Sequence, residues 1–411
     1  MQAGRMSDKP SVLIAGAGIG GLAAAALLRM RGLEVTVYEQ AQRLHEVGAG
    51  VQLSANAVKV LRSLGLESDI VSRGFLPSHF IGWSWKSGRK LYKTPIVPLH
   101  AEWYGAPYVH IHRADLLGAL TGLVPEESVH LGHRISDLSD ADGRVLARFE
   151  NGHTALADVV VGADGIHSAV RRNLFGDDAP RFTGNMCWRG VLPADVLPRG
   201  HIAPAASNWM GPEGHVVHYF LRGGTLVNFV AVRETDAWLG ESWTLPSSKE
   251  ELLKAFEGWN PRLLAMFERA TDIHKWGLFD RDPLQAWSQG TVTLLGDAAH
   301  PMLPFMAQGA AQALEDAYAL ADWLGRHPDR PAAALAAYEN ERKARTARIQ
   351  LAARARSQTT HIKSPLAAMK RDLMFAWNQI VSPNATAHRA EWIYQHDVTQ
   401  VQRMLDSPHT G

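Results

Sequence analysis

A glycine-rich turn between a short apolar strand and a helix constrains the fold of this chain more than any other feature. The hydrophobic pattern predicts a β-α-β unit with its strand, helix and second strand at residues 11–15, 19–31 and 34–38. The turn has the spacing G-x-G-x-x-G, with its glycines at Gly16, Gly18 and Gly21. These glycines let the backbone approach a pyrophosphate, and Glu39 follows where an acid can bind ribose hydroxyl groups. The unit predicts dinucleotide binding and by itself fits NAD and FAD equally.

A second turn follows the apolar run 292–295 and carries Gly296 and Asp297. The chain then enters a predicted helix over 308–324, which begins with Gln308, Gly309 and Ala310. A carboxylate at a strand end can hold a sugar-like hydroxyl, and a helix N-terminus attracts negative charge. The pairing suits a flavin, with the ribityl chain on Asp297 and a ring carbonyl at the helix end.

A third turn follows the predicted strand 157–161 and carries Asp164 in the sequence Gly-Ala-Asp-Gly. Alone, this pattern indicates a tight turn with an aspartate helix cap. Because all three turns lie at strand ends before helices, where open α/β sheets bind ligands, it also indicates a ligand-facing turn. Arg113 begins a further helical stretch and is available to a phosphate group.

Composition excludes several classes of partner. The chain has 411 residues, 46% of them hydrophobic and 20% charged, as expected for a globular protein of two domains that share one body. A net charge of +1 without a long basic run argues against nucleic acid and against an anionic membrane. Glycines interrupt the apolar run 12–28, which argues against a membrane span. The single cysteine, Cys187, excludes an intramolecular disulfide, and we expect a buried thiol and a cytoplasmic location.

The three motifs, in this order, resemble the group A FAD-dependent aromatic hydroxylases, which are flavoprotein monooxygenases. The resemblance covers most of residues 10–350 and is greatest to salicylate hydroxylase, 3-hydroxybenzoate 6-hydroxylase and 6-hydroxynicotinate 3-monooxygenase. The segments shared with these enzymes are Gly48-Ala49-Gly50, Trp188-Arg189-Gly190 and Leu221-Arg222-Gly223-Gly224.

The resemblance implies that FAD occupies the glycine-rich site. Glu39 would then bind the adenosine ribose, Arg113 would lie near the pyrophosphate, and Asp297 would bind the ribityl chain. NADH or NADPH would visit transiently, with the turn at Asp164 serving both nucleotides. The implied cycle reduces FAD, forms a flavin C4a-hydroperoxide with molecular oxygen, and hydroxylates a small aromatic acid, either a hydroxybenzoate or a hydroxypyridine carboxylate.

The expected fold class is α/β, with a Rossmann-like FAD-binding domain, an inserted β-sheet substrate domain and a helical C-terminal region. The FAD-binding domain is expected at 10–80, 105–181 and 277–350. The substrate domain is expected at 81–104 and 182–276, and the C-terminal region at 351–411. That last region carries Trp377, Trp392 and Tyr394, and packs either on the body of the protein or on a second copy, so a homodimer is possible.

The predicted strand 214–221 holds the expected catalytic residues. Alternation along a strand places His215 and Tyr219 on the same face. The resemblance implies a His and a Tyr at these positions for substrate activation, so we predict His215 as the base and Tyr219 as its hydrogen-bonding neighbour. Without the resemblance, both would be interpreted as ordinary sheet residues.

The sequence leaves the chemistry of the predicted substrate pocket open, because the chain departs from the enzymes it resembles there. Gln52 occupies a place where the hydroxynicotinate enzymes tend to have His, and the loop after Asp297 has Pro304 and Phe305 where some relatives are polar. Phe305 and Met306 could form an apolar wall, although loop packing explains them equally. Arg222 could pair with a substrate carboxylate, or could be a solvated turn residue.

Two other possibilities remain open at this stage. A flavin oxidase or dehydrogenase could use the same fold, and a non-catalytic flavin-binding protein could retain it. A metal site is not expected: His110-x-His112 has no clear third ligand, and His215-x-x-His218 points to opposite faces of a strand.

Overall fold

The computed structural model describes residues 9–44, 50–236, 245–381 and 390–403. Its two largest sheets have different architectures, one mostly parallel and one mostly antiparallel, and helices flank both. The predicted α/β class, with a Rossmann-like domain, a sheet domain and a helical C-terminal region, is confirmed.

A six-stranded sheet forms the first domain, and its central strands run parallel. Its strands, in spatial order, are β18 (Ser288–Gln289), β19 (Val292–Leu294), β11 (Val159–Gly162), β1 (Ser11–Ala15), β2 (Glu34–Glu39) and β7 (Val129–Leu131). Only the pairing of β18 with β19 is antiparallel. The central strands are short and almost wholly apolar because other elements bury both faces of the sheet: the helix 19–30 packs on β1 and β2, and antiparallel strands at 144–157 contact β1 and β11.

Two small sheets extend this domain. The three-stranded sheet consists of β10 (Thr154–Ala157), β9 (Arg144–Phe149) and β8 (Ile135–Ala141). The two-stranded sheet consists of β3 (Gly50–Leu53) and β6 (Val109–His112). This second ladder lies beside the eight-stranded sheet described next, because a Cβ on Gly50 would lie 2.6 Å from the ring of Tyr219.

An eight-stranded sheet forms the second domain. Its strands, in spatial order, are β16 (Leu245–Pro246), β17 (Ile273–Asp280), β12 (Arg181–Pro193), β15 (Leu226–Glu234), β14 (Gly214–Leu221), β13 (Ala206–Gly211), β4 (His79–Ser84) and β5 (Lys90–Pro95). Every pairing is antiparallel except β13 with β4. One face is apolar and packs on two short helices, with Trp188, Trp209 and Phe229 buried there. The opposite face is therefore the one available to a ligand.

The helices follow the hydrophobic patterns of their segments. They are α1 (Ile19–Met30), α2 (Ala55–Ser63), α3 (Glu67–Arg73), α4 (Leu99–Tyr104), α5 (Arg113–Thr121), α6 (Ala169–Phe175), α7 (Lys249–Ala255), α8 (Pro261–Glu268), α9 (Gly309–Arg326), α10 (Pro331–Thr360), α11 (Pro365–Val381) and α12 (Glu391–Tyr394). The pair of short helices on the eight-stranded sheet is α7 and α8. No helix in the described part of the chain is long and apolar enough to cross a membrane.

Close packing of two helices brings distant parts of the chain together. A Cβ on Gly20 would lie 2.6 Å from Leu295 Cδ2 and 3.1 Å from Ala313 Cβ, so α1 and α9 approach at a position where only glycine fits. Consequently the helix that follows the glycine-rich turn packs directly on Leu295, at the end of β19, and on α9.

The strands of the eight-stranded sheet come from two parts of the chain, 79–95 and 181–280, where the sequence predicts a substrate domain at 81–104 and 182–276. The expected boundary at 350–351, however, falls inside α10, which is one continuous helix of 30 residues. The helical pattern of that segment has no break at 350, so the C-terminal region begins only after Thr360.

Candidate active site

Four strand ends meet at one edge of the six-stranded sheet. The neighbouring strands β19, β11, β1 and β2 run parallel, so their carboxyl ends point the same way. Asp297, Asp164 and the glycine-rich turn follow the first three of these strands, and Glu39 is the last residue of β2. The three turns, 133 and 148 residues apart in sequence, are therefore brought together in space, at the edge where open α/β sheets bind ligands.

The glycine-rich turn is shaped around open space. Gly16 has φ +104°, and a Cβ there would lie 2.4 Å from Ala163 O. A Cβ on Gly21 would lie 2.0 Å from Gly16 O, whereas a Cβ on Gly18 would meet nothing within 4 Å. Gly16 and Gly21 are thus required by packing, and Gly18 leaves room in front of the N-terminus of α1. Free space before a helix N-terminus is what a pyrophosphate needs.

Glu39 lies directly beside this turn. Its carboxylate accepts hydrogen bonds from Ala17 N at 2.7 Å and from Ala41 N at 2.8 Å. The acid predicted to bind a ribose is therefore held at the glycine-rich turn by two backbone amides, with the remaining lone pairs available to hydroxyl groups.

Asp297 combines accessibility with a perturbed acidity. Its side chain is exposed to solvent, yet desolvation by the surrounding protein raises its pKa above the usual value, although Arg113 opposes this effect. The position of a Cβ on Gly309 lies 3.8 Å from Asp297 Oδ1, so the N-terminus of α9 lies beside this carboxylate. Asp297 therefore lies beside the start of α9 and within electrostatic reach of Arg113.

A buried ionic network holds the Asp297 turn in place. Asp316 accepts hydrogen bonds from Gly296 N at 3.1 Å and from His300 Nε2 at 2.5 Å. Arg342 of α10 donates to Asp316 at 2.8 Å and to Glu315 at 2.6 Å. Burial alone would raise the pKa of Asp316, but His300 and Arg342 hold it below its usual range. The turn is thus fixed from behind by charges that no ligand touches.

Gln308 belongs to this network rather than to the open edge. Its side chain is 1% exposed, donates to Ser54 Oγ at 2.9 Å and accepts from Asn56 Nδ2 at 3.2 Å. A cofactor can therefore meet Gln308 only through its backbone. The neighbouring residues Gly309 and Ala310 are half-buried at the helix start.

The Asp164 carboxylate caps a helix, which is the simpler of the two expected roles. It accepts hydrogen bonds from Ser168 Oγ at 2.5 Å and from the backbone N of Ala169 and Val170 at 2.7 and 3.2 Å. These bonds fix the start of α6 and hold the turn at the sheet edge. Any contact of this turn with a nucleotide would come from its backbone, since the carboxylate is already engaged.

A cationic cleft borders the outer side of the same turn. Two adjoining cavities of about 400 and 550 Å³ share Arg171 and Arg281 in their linings. The larger cavity also contacts Gln40, next to Glu39, and His167, three residues after Asp164. Arg171 and Arg281 are buried, and both form an ion pair with Asp178. At this point two cationic side chains share one carboxylate.

A second part of the site is a groove on the eight-stranded sheet. One row of paired residues crosses four adjacent strands and is only half-buried: Arg189, Val230, Val217 and Asn208. The next row on one side contains Cys187, Val232 and His215, all buried. The next row on the other side contains Asn228 and Tyr219, which are buried as well. An accessible row between two buried rows is a groove, with His215 in one wall and Tyr219 in the other.

His215 is paired with a histidine that the sequence did not point to. His215 Nδ1 lies 2.6 Å from His361 Nε2, and His361 Nδ1 lies 3.3 Å from Glu234 Oε1. Desolvation holds the pKa of His215 well below its usual value and lowers the pKa of His361 to about 4, so both rings are neutral at pH 7. His215 Nε2 makes no hydrogen bond with any residue that the structure describes.

Tyr219 does not hydrogen-bond to His215, contrary to expectation. Four residues of extended strand separate their Cα atoms by about 13 Å. Tyr219 instead packs against His110 with the two rings tilted and their centroids 4.3 Å apart, and it shares Gln52 with Tyr108, whose hydroxyl donates to Gln52 Oε1 at 2.6 Å. Burial raises the pKa of Tyr219 to about 12, although Arg189 and Gln52 act against this shift. Tyr219 therefore stays protonated.

Arg222 has two interpretations from the sequence, a partner for a substrate carboxylate and a solvated turn residue. Its guanidinium forms two hydrogen bonds of 2.8 Å with the carboxylate of Asp115, and 46% of its side chain is exposed. Arg222 lies in a left-handed turn beyond the end of β14, outside the row of residues that lines the groove. Its charge is paired with Asp115 of α5. It is the solvated turn residue that the sequence left as the alternative.

Arg189 takes the position in the groove that Arg222 does not. It lies over the ring of Trp276 at 4.7 Å and acts electrostatically on Tyr219. Arg189 belongs to the shared segment Trp188-Arg189-Gly190, to which the sequence assigns no role. A usable signal was present, because Arg189 is a charge on the same strand face as Cys187 and Val191.

The loop Pro304–Met306 closes one end of the groove. Phe305 contacts His215 edge to face, with ring centroids 5.0 Å apart, and packs with Met306 against the buried cluster around Cys187. Pro304 is exposed and begins the turn. Phe305 therefore lies beside His215, and both Phe305 and Met306 take part in loop packing, so an apolar wall formed by these two residues remains a proposal. The segment Gly48-Ala49 of the shared motifs lies outside the described residues.

These residues fit a flavin dinucleotide. The open space at Gly18, the acid at Glu39 and the accessible Asp297 lie along one continuous sheet edge, which suits a long ligand with sugar and phosphate groups along its length. Among all residues that the structure describes, no group of three or more His, Cys, Asp or Glu side chains could hold a metal ion.

Comparison with known proteins agrees with this geometry. A family model described as an FAD binding domain matches residues 9–353. The chain is 41% identical over 356 residues to 3-amino-4-hydroxybenzoate 2-monooxygenase PtnB3 of Streptomyces platensis, with 87% of this chain and 90% of the relative covered. It is 37% identical over 397 residues to 3-hydroxybenzoate 6-hydroxylase 1 of Aquipseudomonas alcaligenes, with 95% and 98% covered. A salicylate hydroxylase solved as a substrate complex has a TM-score of 0.79 at 27% identity, covering 95% of this chain and 96% of that one.

The second and third glycines of the turn should respond differently to a methyl group. Gly18→Ala places its Cβ in open space, so we expect the apoprotein to melt within about 1 °C of the wild type, whereas FAD binding weakens by about 10-fold, or ~1.4 kcal/mol. Gly21→Ala places its Cβ against Gly16 O, so we expect the free energy of unfolding to fall by about 2 kcal/mol. Thermal melts and flavin fluorescence titrations measure both. Equal FAD affinity in Gly18→Ala would contradict a pyrophosphate at this turn.

Proposed function

We propose, from the premise that this chain belongs to the FAD binding domain family and is an FAD-dependent aromatic monooxygenase, that its substrate is a small ring bearing a hydroxyl and a carboxylate. The observation that carries the proposal is the half-buried row between His215 and Tyr219, with Arg189 at one end. The predicted enzyme class is confirmed by relatives that are 41% and 37% identical over most of the chain.

FAD, when bound, supplies the hydride-accepting and oxygen-activating chemistry, and NADH or NADPH is the electron donor typical of such enzymes. The roles that remain for the chain are to hold the cofactor and to orient and activate the ring. For the cofactor, we assign Glu39 to the adenosine ribose, Arg113 to the pyrophosphate and Asp297 to the ribityl chain. The backbone at Asp164, with the cationic cleft beside it, is assigned to phosphate groups.

Activation of the ring falls to His215. Its neutral imidazole can accept the phenolic proton of the substrate at Nε2, because Nδ1 donates to His361 Nε2 in the tautomer that leaves Nε2 free. His361 would then carry its own proton on Nδ1, facing Glu234. Glu234 is partly exposed and also pairs with Lys363 at 3.0 Å. His215, His361 and Glu234 therefore lie in that order from the groove towards solvent. Deprotonation makes the ring electron-rich at the positions ortho and para to the oxygen.

Orientation of the ring falls to the other polar groups of the groove. A carboxylate on the substrate can pair with the half-buried Arg189, whose planar guanidinium can form two parallel hydrogen bonds to it. Asn208 Oδ1 is buried without a hydrogen-bond partner among the described residues, and it can accept a proton donor of the substrate. Tyr219 remains protonated and can donate from the opposite wall. Phe305 limits the length of the ring system from the loop side.

We also expect the enzyme to act as a homodimer and to be located in the cytoplasm. The alternative of a flavin oxidase or dehydrogenase finds no particular support in the groove, since Arg189 and His215 suit a hydroxylated aromatic acid rather than a hydride donor.

The direct experiment is a panel of aromatic compounds tested for NADH- or NADPH-dependent oxygen uptake, with each product identified by mass. We expect hydroxybenzoates and hydroxypyridine carboxylates to stimulate uptake and to gain one oxygen atom. Benzoate without a hydroxyl group and phenol without a carboxylate are the matched controls and should be poor substrates. Peroxide as the sole product for every compound would contradict the proposal.

A charge replacement separates the two candidate arginines. Arg189→Met should raise the KM for an aromatic acid about 100-fold, because a buried charge partner worth ~3 kcal/mol is lost. The KM for a substrate without a carboxylate should hardly change in this variant. Arg222→Met is the matched control and should leave both KM values within about 2-fold, since Arg222 contacts Asp115. A larger effect of Arg222→Met would reverse the assignment.

The proposed base predicts a particular pH dependence. Because the pKa of His215 lies well below its usual value, the acid limb of wild-type kcat/KM should lie below pH 6.5, the ordinary pKa of histidine. His215→Asn should lower kcat by about 10²- to 10⁴-fold at pH 7 and recover towards pH 10, where phenols ionise without help. His361→Gln should show a smaller loss with the same recovery. His218→Gln, on the opposite face of the strand, is the control.

A further inference from the structure

The helix α11 presents an apolar stripe to solvent on the side away from the body of the protein. Seven of its side chains are between 42% and 77% exposed: Leu366, Met369, Leu373, Met374, Trp377, Ile380 and Val381. With side chains of this size, the exposed parts sum to roughly 800 Å². Monomeric proteins rarely expose a contiguous apolar patch of this extent.

The stripe has the spacing of a helix-pairing seam. Leu366, Leu373 and Ile380 are separated by seven residues each, which places them at one repeated position of a heptad. Met369 follows Leu366 by three residues, at the second core position of the heptad, and Trp377 flanks the seam. Over these residues the seam is about 21 Å long. A heptad of this kind favours an α-helix as the partner over a flat surface.

The opposite side of α11 is already used for packing on the body. Phe375 is buried against Tyr92 of β5, with ring centroids 5.1 Å apart. Arg371 is buried and donates to Thr359 O at 3.2 Å, near the end of α10. Asp372 accepts from Arg371 at 2.9 Å. The helix is therefore held in place with its heptad seam facing outwards, beside the terminal strand of the eight-stranded sheet.

We propose that α11 of one chain pairs with α11 of a second copy through this seam to form a homodimer. The exposed area of roughly 800 Å² equals what one partner contributes to an interface of standard size. A twofold axis allows one self-complementary stripe to cover both copies. A membrane is the poorer occupant, because interfacial helices carry many Lys and Arg on their polar face, and α11 has only Lys370 and Arg371.

The geometry of the seam identifies its central residue. Leu373 lies midway between Leu366 and Ile380, so it faces the Leu373 of the second copy in a parallel pair and also in a centred antiparallel pair. A charge at this position therefore meets the same charge across the twofold axis. Opposite charges placed on two different chains would attract each other instead.

The test measures the molar mass of the full-length holoenzyme by light scattering and sedimentation, without substrate. The wild type should have a mass of ~90 kDa, twice the 45.1 kDa of one chain. Leu373→Glu should raise the dissociation constant of the dimer by about 100-fold or more, because two buried leucines become two like charges. Leu351→Glu is the matched control: Leu351 is 51% exposed on α10, outside the seam, and its replacement should leave the dimer intact.

Mixing provides the decisive arm. Leu373→Glu and Leu373→Lys should each be monomeric alone, and an equimolar mixture should recover the mass of a dimer. A monomeric wild type would overturn the proposal, as would a dimer that survives Leu373→Glu. Binding of a monomeric wild type to vesicles of phosphatidylcholine and phosphatidylserine would also overturn it in favour of a membrane surface. These outcomes are independent of turnover, so failure of the proposed chemistry leaves them readable.

Discussion

The parallel pairing of β19, β11, β1 and β2 is the constraint on which the rest of the structure depends. Parallel strands that are neighbours must end at the same edge, so the turns that follow them are brought together whatever their distance in sequence. Gly16 and Gly21 make the first turn tight, and the Asp316 network holds the third turn from behind. Cofactor binding is therefore a property of the sheet register more than of any one side chain.

Strand alternation gives the two faces of the eight-stranded sheet different roles. On β14, His215 and Tyr219 point into the groove, while Val216 and His218 point to the core under α7 and α8. His218 illustrates the difference: it accepts a hydrogen bond from Trp209 Nε1 at 3.0 Å, and burial lowers its pKa to about 3. Histidine thus has a structural role on the core face, at His218, and can act as a base on the groove face, at His215.

The sequence was informative wherever a local pattern decides the structure. The β-α-β unit, the turn at Asp297 and the common face of His215 and Tyr219 follow from glycine spacing and strand alternation, and the structure has them. The pairing of His215 with His361 was not predictable, because it joins residues 146 positions apart and no motif marks His361. The choice between the two interpretations of Arg222 was open for a similar reason. The left-handed turn that carries it out of the groove, and its partner Asp115, appear only in three dimensions.

The central claim is that the turns at one sheet edge bind a single, complete FAD molecule, from the adenosine end at Glu39 to the flavin end at Asp297. The most direct measurement compares the affinity of the apoprotein for FAD, FMN and riboflavin by fluorescence titration. One FAD should bind per chain, at least ~100-fold more tightly than riboflavin, since the pyrophosphate and adenosine contacts contribute more than ~2.7 kcal/mol. Equal affinity for FAD and riboflavin, or a protein that takes up no flavin at all, would contradict the account.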